Sequence, residues 1–362
     1  MSNSSELYEK PIHAALDKAY GEALIQAGKE GAHLAFDLKA ARIIMFSDQH
    51  RGVRDGADDF CKCEKAYNAA LGYYLESGHT LMVLGDAEEL WECRPHPVVD
   101  AYRYTLGLEN EFLKRGRYYR IFGNHDDLWS EPGAIDRHFT PKITREKTPV
   151  RKSLLLRFTG SSGTPKRMFL IHGHQGTFDS DRGGKISRIL VRHVWGAIQR
   201  IFKIRSTTPA KDAELRDKHN IALYNWAARD RGEKSIILVA GHTHLPVFAS
   251  TTHIGMMTKE LANLQARLRV AAPGSADSAD LAQETAELRA AVEFIKAKGE
   301  GGDITMQKPC YFNTGCCSFS DGDVTGIEIA DGEVRLVRWP DDTGAPKAKI
   351  LSRASLEQVL NC

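Results

Sequence analysis

The chain has 362 residues, a formal net charge of +2, 42% apolar and 27% charged residues, and 7 cysteines. That length leaves room for one large or two ordinary domains with a substantial buried core. The balanced charge argues against a general nucleic-acid binder or an acidic scaffold, and no apolar run approaches the roughly 20 residues that span a bilayer.

Residues 5–30 carry Leu7, Ile12, Leu16, Tyr20, Leu24 and Ile25 at near-helical spacing, and 1–37 reads as a helical extension used for packing. A first core strand over 42–46 delivers Asp48 and His50. A helix over 58–77 crosses back to a strand over 81–84 that ends in Gly85-Asp86. A second helix (98–115) leads to a strand over 118–122 that ends in Gly123-Asn124-His125-Asp126. Strand, helix, strand, helix, strand at this spacing predicts an α/β sheet with its active edge at the strand ends.

Two further strands, 153–158 and 167–171, flank a Gly160-Ser161-Ser162-Gly163 turn, and the second ends in His172-Gly173-His174. The strand over 235–240 runs into Gly241-His242-Thr243-His244, and closing strands are expected at 311–315, 324–329 and 333–339, the last two turned by Asp331-Gly332. The core segments are therefore 38–182, 234–252 and 309–362.

Two helical insertions interrupt them. The first, 183–233, holds an apolar stripe from Ile186 to Phe202 with a basic face (Lys185, Arg188, Arg192, Arg200, Lys203, Arg205), then a helix with Leu215, His219, Ala222, Leu223 and Trp226 on one side. Its 185–205 face suits a solvated positive surface, or a lid that touches anionic substrate or a membrane periphery. The second, 253–308, places Ile254, Met257, Leu261, Leu264 and Leu268, then Leu281, Thr285, Leu288, Val292 and Ile295, at alternating spacings of three and four. That is an antiparallel helical hairpin about 25 Å long, docked on its own domain or on a second subunit.

The first residues show neither a basic n-region nor an apolar h-region, so no signal peptide is expected. Cys61-Lys62-Cys63 lacks zinc-finger spacing, and reduced structural thiols in a cytoplasmic protein are the expectation.

The chemistry lies in the strand ends: Asp48 and His50, Asp86, Asn124 with His125, His172, and His242 with His244. Each alone has an ordinary reading as a cap or turn. Their recurrence after successive apolar runs points to one site. Imidazole, carboxylate and amide oxygen form a borderline donor set suited to Mn, Fe, Zn, Co or Ni. Two such ions against two carboxylates leave excess positive charge, which favours an anionic phosphate ester. Two metals about 3.5–4 Å apart clamp the attacking and leaving oxygens of an in-line displacement and ionise the attacking water.

Asp48-x-His50, Gly85-Asp86-x-x-Glu89, Gly123-Asn124-His125-Asp126, His172 and Gly241-His242-x-His244 together resemble the signature of the calcineurin-like metallophosphoesterases, over roughly 40–250 plus Asn313-x-Gly315. The resemblance implies a two-layered β-sandwich flanked by helices, and two divalent ions, Mn foremost. Asp48, His50, Asp86 and His244 would hold one ion, and Asp86, Asn124, His172 and His242 the other. His125 would stand beside the leaving group as proton donor, with Asp126 orienting its imidazole. Glu89 would be a structural acid, and His174 a residue able to meet substrate. The implied activity is hydrolysis of a phosphodiester or diphosphate.

Within that family, Gly85-Asp86-x-x-Glu89-x-Trp91 and the insertion before Gly241 are similar to the UDP-diacylglucosamine pyrophosphatases, which would make the substrate lipid-linked. The chain departs from them at His125, where they carry Arg, at His174, where they carry Asp, and in its 253–308 hairpin. A different phosphodiester is an equal expectation. The rival from another class is a metal-free binding protein on the same fold. A nuclease would need a basic and aromatic groove that the sequence does not offer outside 185–205.

Overall fold

A computed structural model describes residues 2–28, 34–139, 150–160, 166–176, 213–229, 236–271, 276–297, 306–341 and 344–361. The basic stretch expected at 185–205 and the turn centre at 161–163 lie outside the described residues.

The strands in chain order are β1 (Leu34–Asp37), β2 (Ile43–Phe46), β3 (Thr80–Leu84), β4 (Tyr118–Ile121), β5 (Val150–Arg151), β6 (Ser153–Thr159) and β7 (Lys166–Ile171). They continue with β8 (Ile237–Ala240), β9 (Val247–Phe248), β10 (Thr251–Thr252), β11 (Tyr311–Asn313), β12 (Val324–Ala330), β13 (Glu333–Trp339) and β14 (Lys349–Ser355). The helices are α1 (Ser2–Ala27), α2 (Phe60–Glu76), α3 (Pro95–Ala101), α4 (Arg103–Lys114), α5 (Ala134–His138), α6 (Ala213–Ala228), α7 (His253–Val270), α8 (Ala276–Ala297) and α9 (Leu356–Leu360). The chain is thus a mixed α/β protein. Among the described residues no helix is long and apolar enough to cross a membrane.

Among the described residues two seven-stranded sheets form, in the orders β1-β6-β7-β8-β11-β9-β10 and β14-β13-β12-β2-β3-β4-β5. In the second sheet β2, β3, β4 and β5 are parallel, and the antiparallel β12–β13 hairpin attaches along β2. In the first, β7, β8 and β11 are parallel. The register of β2 alternates between two cores. Ile43 and Met45 join a cluster with Met82, Leu84, Leu155, Phe169 and Leu238, so the two sheets share it. Ile44 and Phe46 join another, with Phe60, Tyr67, Leu71 and Tyr74 of α2. Burial on both faces is why β2 and β3 read as unbroken apolar runs. The β12–β13 turn has left-handed Asp331 (φ 54°) and Gly332 (φ 75°), as a two-residue Asp-Gly hairpin requires.

Several elements differ from the sequence reading. The helix expected over 98–115 is two helices, α3 and α4, broken at Tyr102 (φ −117°, ψ 31°). The N-terminal extension is not only helical, because β1 joins the first sheet parallel to β6. Helix α1 lies along α6: His13 Nε2 donates to the Ala222 carbonyl (2.9 Å) and Trp226 Nε1 to Asp17 (2.7 Å). The second insertion is an antiparallel pair, α7 and α8, with Leu264, Leu281 and Val292 buried and Val270 exposed.

One buried imidazole just before β3, at the end of that strand opposite the candidate ligands, makes the fold acid-sensitive. Burial lowers His79 from 6.5 to about 4, and its Nδ1 meets Ser77 Oγ at 2.9 Å. The folded chain keeps His79 neutral where the unfolded chain is already protonated. Its contribution to stability is therefore complete above pH 6.5 and is lost as the pH falls towards 4. His79→Asn is expected to flatten the fall of the urea midpoint across that window; an unchanged slope would refute this.

Candidate metal centre

The carboxyl ends of β2, β3 and β4 in one sheet and of β7 and β8 in the other deliver the candidate residues to a common place. Three groups of potential ligands form there among the described residues: Asp48, His50 and His244; His50, Asp86 and His125; and Asp86, His172 and His242. His50 Nε2 lies 3.1 Å from His244 Nε2 and 3.8 Å from carboxylate oxygens of both Asp48 and Asp86. His244 Nε2 is 3.2 Å from Asp48, and His172 Nε2 is 3.1 Å from Asp86.

The backbone is bent to achieve this. Asp48 (φ 56°), His50 (φ 50°), Asp86 (φ 50°), His242 (φ 69°) and His244 (φ 56°) all adopt the left-handed region. That conformation is costly for residues other than glycine, and five of the nine such residues described are candidate ligands. Glycine fills the tightest points. A Cβ on Gly85 would come within 2.7 Å of both the Gly123 nitrogen and His172 Nδ1, and one on Gly123 would run into the Asp86 carboxylate.

Tautomers follow from the hydrogen bonds. His172 Nδ1–H donates to the Leu84 carbonyl at 2.8 Å, so in the neutral ring Nε2 bears a lone pair. Although that nitrogen is 3.1 Å from Asp86, the pair is not aligned as a hydrogen bond, and Nε2 is buried without one. His242 Nε2 and Asn124 Oδ1 are buried without partners too. All three orphaned atoms belong to the set Asp86, Asn124, His172 and His242. The ligand atoms of Asp86, His172 and His242 lie within 4.8 Å of one another, and buried imidazole and carboxylate lone pairs gathered in this way fit a divalent cation.

The electrostatics agree. Burial would raise the Asp48 carboxyl, but the His244 and His50 imidazoles outweigh it and hold it low. Burial also opposes ionisation of Asp86, and His172 and His125 outweigh it. Burial disfavours a proton on His172, yet the Asp86 carboxylate lifts it to about 9, so without a cation Nε2 keeps a proton against Asp86, in the place a divalent ion would take. Burial and the neighbouring His172 press His242 well below its usual range, leaving it a neutral donor.

One expected role is corrected. Asp126 does not orient the His125 imidazole. Its carboxylate accepts from the backbone nitrogens of Gly123 (2.6 Å), Ala87 (3.1 Å) and Asp86 (3.3 Å), and from Arg120 (3.0 Å). It pins the β3 and β4 loops together, because its side chain points back under the turn. The imidazole's partner is Glu89, whose Oε2 accepts from His125 Nδ1 (2.7 Å) and His50 Nδ1 (3.3 Å). Trp91 stacks on His125 with ring centroids 4.1 Å apart.

Other supporting residues went unread in the sequence. Ser47 Oγ bonds Asp48 and meets Thr314 Oγ1 at 2.6 Å. Beneath the loops, wholly buried Glu88 accepts from Arg51 (2.9 Å), Arg120 and Trp129 Nε1 (2.8 Å), and Arg51 also donates to Glu109 (2.7 Å). Asn313, already named in the Asn313-x-Gly315 turn, donates from Nδ2 to the Gly241 carbonyl at 2.7 Å, bracing the loop that carries His242 and His244. His174 is buried, its ring 5.3 Å from His172, and burial lowers it to about 3. No family model matches the chain, and no curated protein matches it.

Proposed function

We propose that this protein is a dinuclear metal-dependent phosphodiesterase of metallophosphoesterase type, hydrolysing a phosphodiester or diphosphate bond. The observation that carries the reading is the convergence of six candidate ligand side chains, Asp48, His50, Asp86, His172, His242 and His244, beside buried acceptor atoms at His172, His242 and Asn124 that have no hydrogen bond. Asp48, His50, Asp86 and His244 would hold one ion, and Asp86, Asn124, His172 and His242 the other. Once bound, two such ions supply Lewis acidity towards the phosphoryl oxygens and lower the pKa of attacking water.

The chain's own residues supply the remainder. Burial lowers the His125 pKa, but Glu89 and then Asp86 outweigh it and raise it, which favours the protonated ring. With Nδ1 on Glu89, its Nε2 is the atom that protonates a leaving oxygen. Trp91 fixes the ring plane. A protonated imidazole helps most where the leaving group is poor, which favours diesters over activated monoesters. The substrate class is a phosphate-ester small molecule handled in the cytoplasm.

With Mn added, bis(p-nitrophenyl) phosphate is expected to turn over faster than p-nitrophenyl phosphate. His125→Ala should lower diester turnover on the order of 10²-fold while Mn content stays unchanged. A clear monoester preference would overturn the diester assignment, and less than one Mn per chain would overturn the metal reading in favour of a binding protein.

A further inference from the structure

We infer that His219, on α6 outside the expected ligand set, is a positioning residue for the half of the metal centre built on His172 and His242. The inference rests on the dinuclear reading above and names a part of the chain that sets it. His219 is buried, and its Nε2–H donates to the Gly173 carbonyl at 2.7 Å. Gly173 lies between His172 and His174 with φ 116°, a conformation that favours glycine, and its own N–H donates to Gln175 Oε1 at 3.1 Å. The same ring meets the His242 imidazole edge-on at 5.2 Å. One side chain thus touches both loops that carry the orphaned nitrogens.

The tautomer is fixed from the other side. Because the Gly173 carbonyl only accepts, Nε2 carries the proton and Nδ1 the lone pair, and the Tyr8 hydroxyl donates to that nitrogen at 3.0 Å. Tyr8 belongs to α1, so the N-terminal helix reaches the centre through two hydrogen bonds. The next residue seats α6 on the second loop: Asn220 Oδ1 accepts from Thr243 Oγ1 (3.0 Å) and from the Tyr311 hydroxyl (2.7 Å). Helix α6 is therefore a buttress of the histidine loops. Partners that orient ligands in this way are worth about 10–100-fold in metal affinity.

The test uses the full chain loaded with Mn, desalted, and read by elemental analysis, Mn titration and the exchange-coupled electron paramagnetic resonance signal of a Mn pair. Wild type is expected to hold two ions. His219→Leu should retain one, lose the pair signal and bind the second ion about 10–100-fold more weakly. His219→Gln, which keeps a donor near the Nε2 position, should recover the pair. Two tightly held ions in His219→Leu, or equal weakening of both, would overturn the inference. Should His219→Leu fail to fold, Tyr8→Phe decides, because it removes only a hydroxyl: a several-fold weaker second ion supports the inference and an unchanged one refutes it. Absence of Mn from wild type would instead defeat the dinuclear reading itself, so the two failures are distinguishable.

Discussion

Asp86→Asn is expected to leave the chain folded while lowering diester turnover on the order of 10³-fold, about 4 kcal/mol of transition-state stabilisation. Asparagine tolerates the left-handed backbone that Asp86 adopts at φ 50°. Its amide oxygen can still accept the His125 N–H that Asp86 Oδ1 now takes at 2.8 Å. What disappears is the negative charge facing His50 and His172, the charge that both ion positions would share. Metal content should fall to one ion or fewer per chain, while circular dichroism and the urea midpoint stay close to wild type. Full turnover in this variant would sink the metal mechanism, whatever the fold.

The largest effect on stability is expected at Glu88. Its carboxylate is wholly buried and holds two wholly buried guanidinium groups, Arg51 and Arg120. Glu88→Ala leaves Arg51 with Glu109 alone and Arg120 with Asp126 alone, with one negative charge removed from a medium that screens poorly. Breaking a buried ion pair in this way costs about 3–5 kcal/mol, read as a lower urea midpoint. Activity should fall as well, because Arg120 anchors the Asp126 carboxylate that ties the β3 and β4 loops together. Arg103→Ala, which breaks the solvent-exposed pair with Asp100, is the control and should leave the midpoint unchanged. A comparable loss in both variants would show that the buried network carries no special weight.

The strands that position the site were legible because burial on both faces writes them as short apolar runs ending in Gly, Asp or His. The strands that escaped notice are too short, or too little buried, to carry a pattern. β5, β9 and β10 have two residues each, β1 alternates between half-buried and exposed over four residues, and β14 has no fully buried residue, with Lys349 and Arg353 along it. They lie at or beside sheet edges, where polar residues also discourage pairing with other chains. The break at Tyr102 has no glycine or proline to announce it. Candidate ligands could be read from strand-end chemistry, but their partners could not. Whether Asp126 or Glu89 meets His125 depends on how two loops fold back, not on spacing. Arg51, Glu88, Glu109 and Arg120 are letters that normally mark a wet surface, so a buried network of them has no signature in one dimension. His219 did fall on the buried stripe of its helix, and a polar residue on such a stripe was the available clue.

The helical pair α7–α8 leaves and re-enters the first sheet almost at one point. The Met306 N–H donates to the Ser250 carbonyl at 3.0 Å, and Ser250 exchanges further bonds with Tyr311: its own N–H to the Tyr311 carbonyl (2.7 Å), its hydroxyl oxygen accepting the Tyr311 N–H (3.0 Å). The ladder is stitched shut across the gap, so the strands on either side behave as though joined by a short link. Lengthening or shortening the excursion changes closure entropy only slowly. Beyond its first turn, where Ile254 is buried and Ser352 Oγ meets the Met256 sulfur at 2.8 Å, the excursion can therefore vary in reach without a correction elsewhere in the sheet.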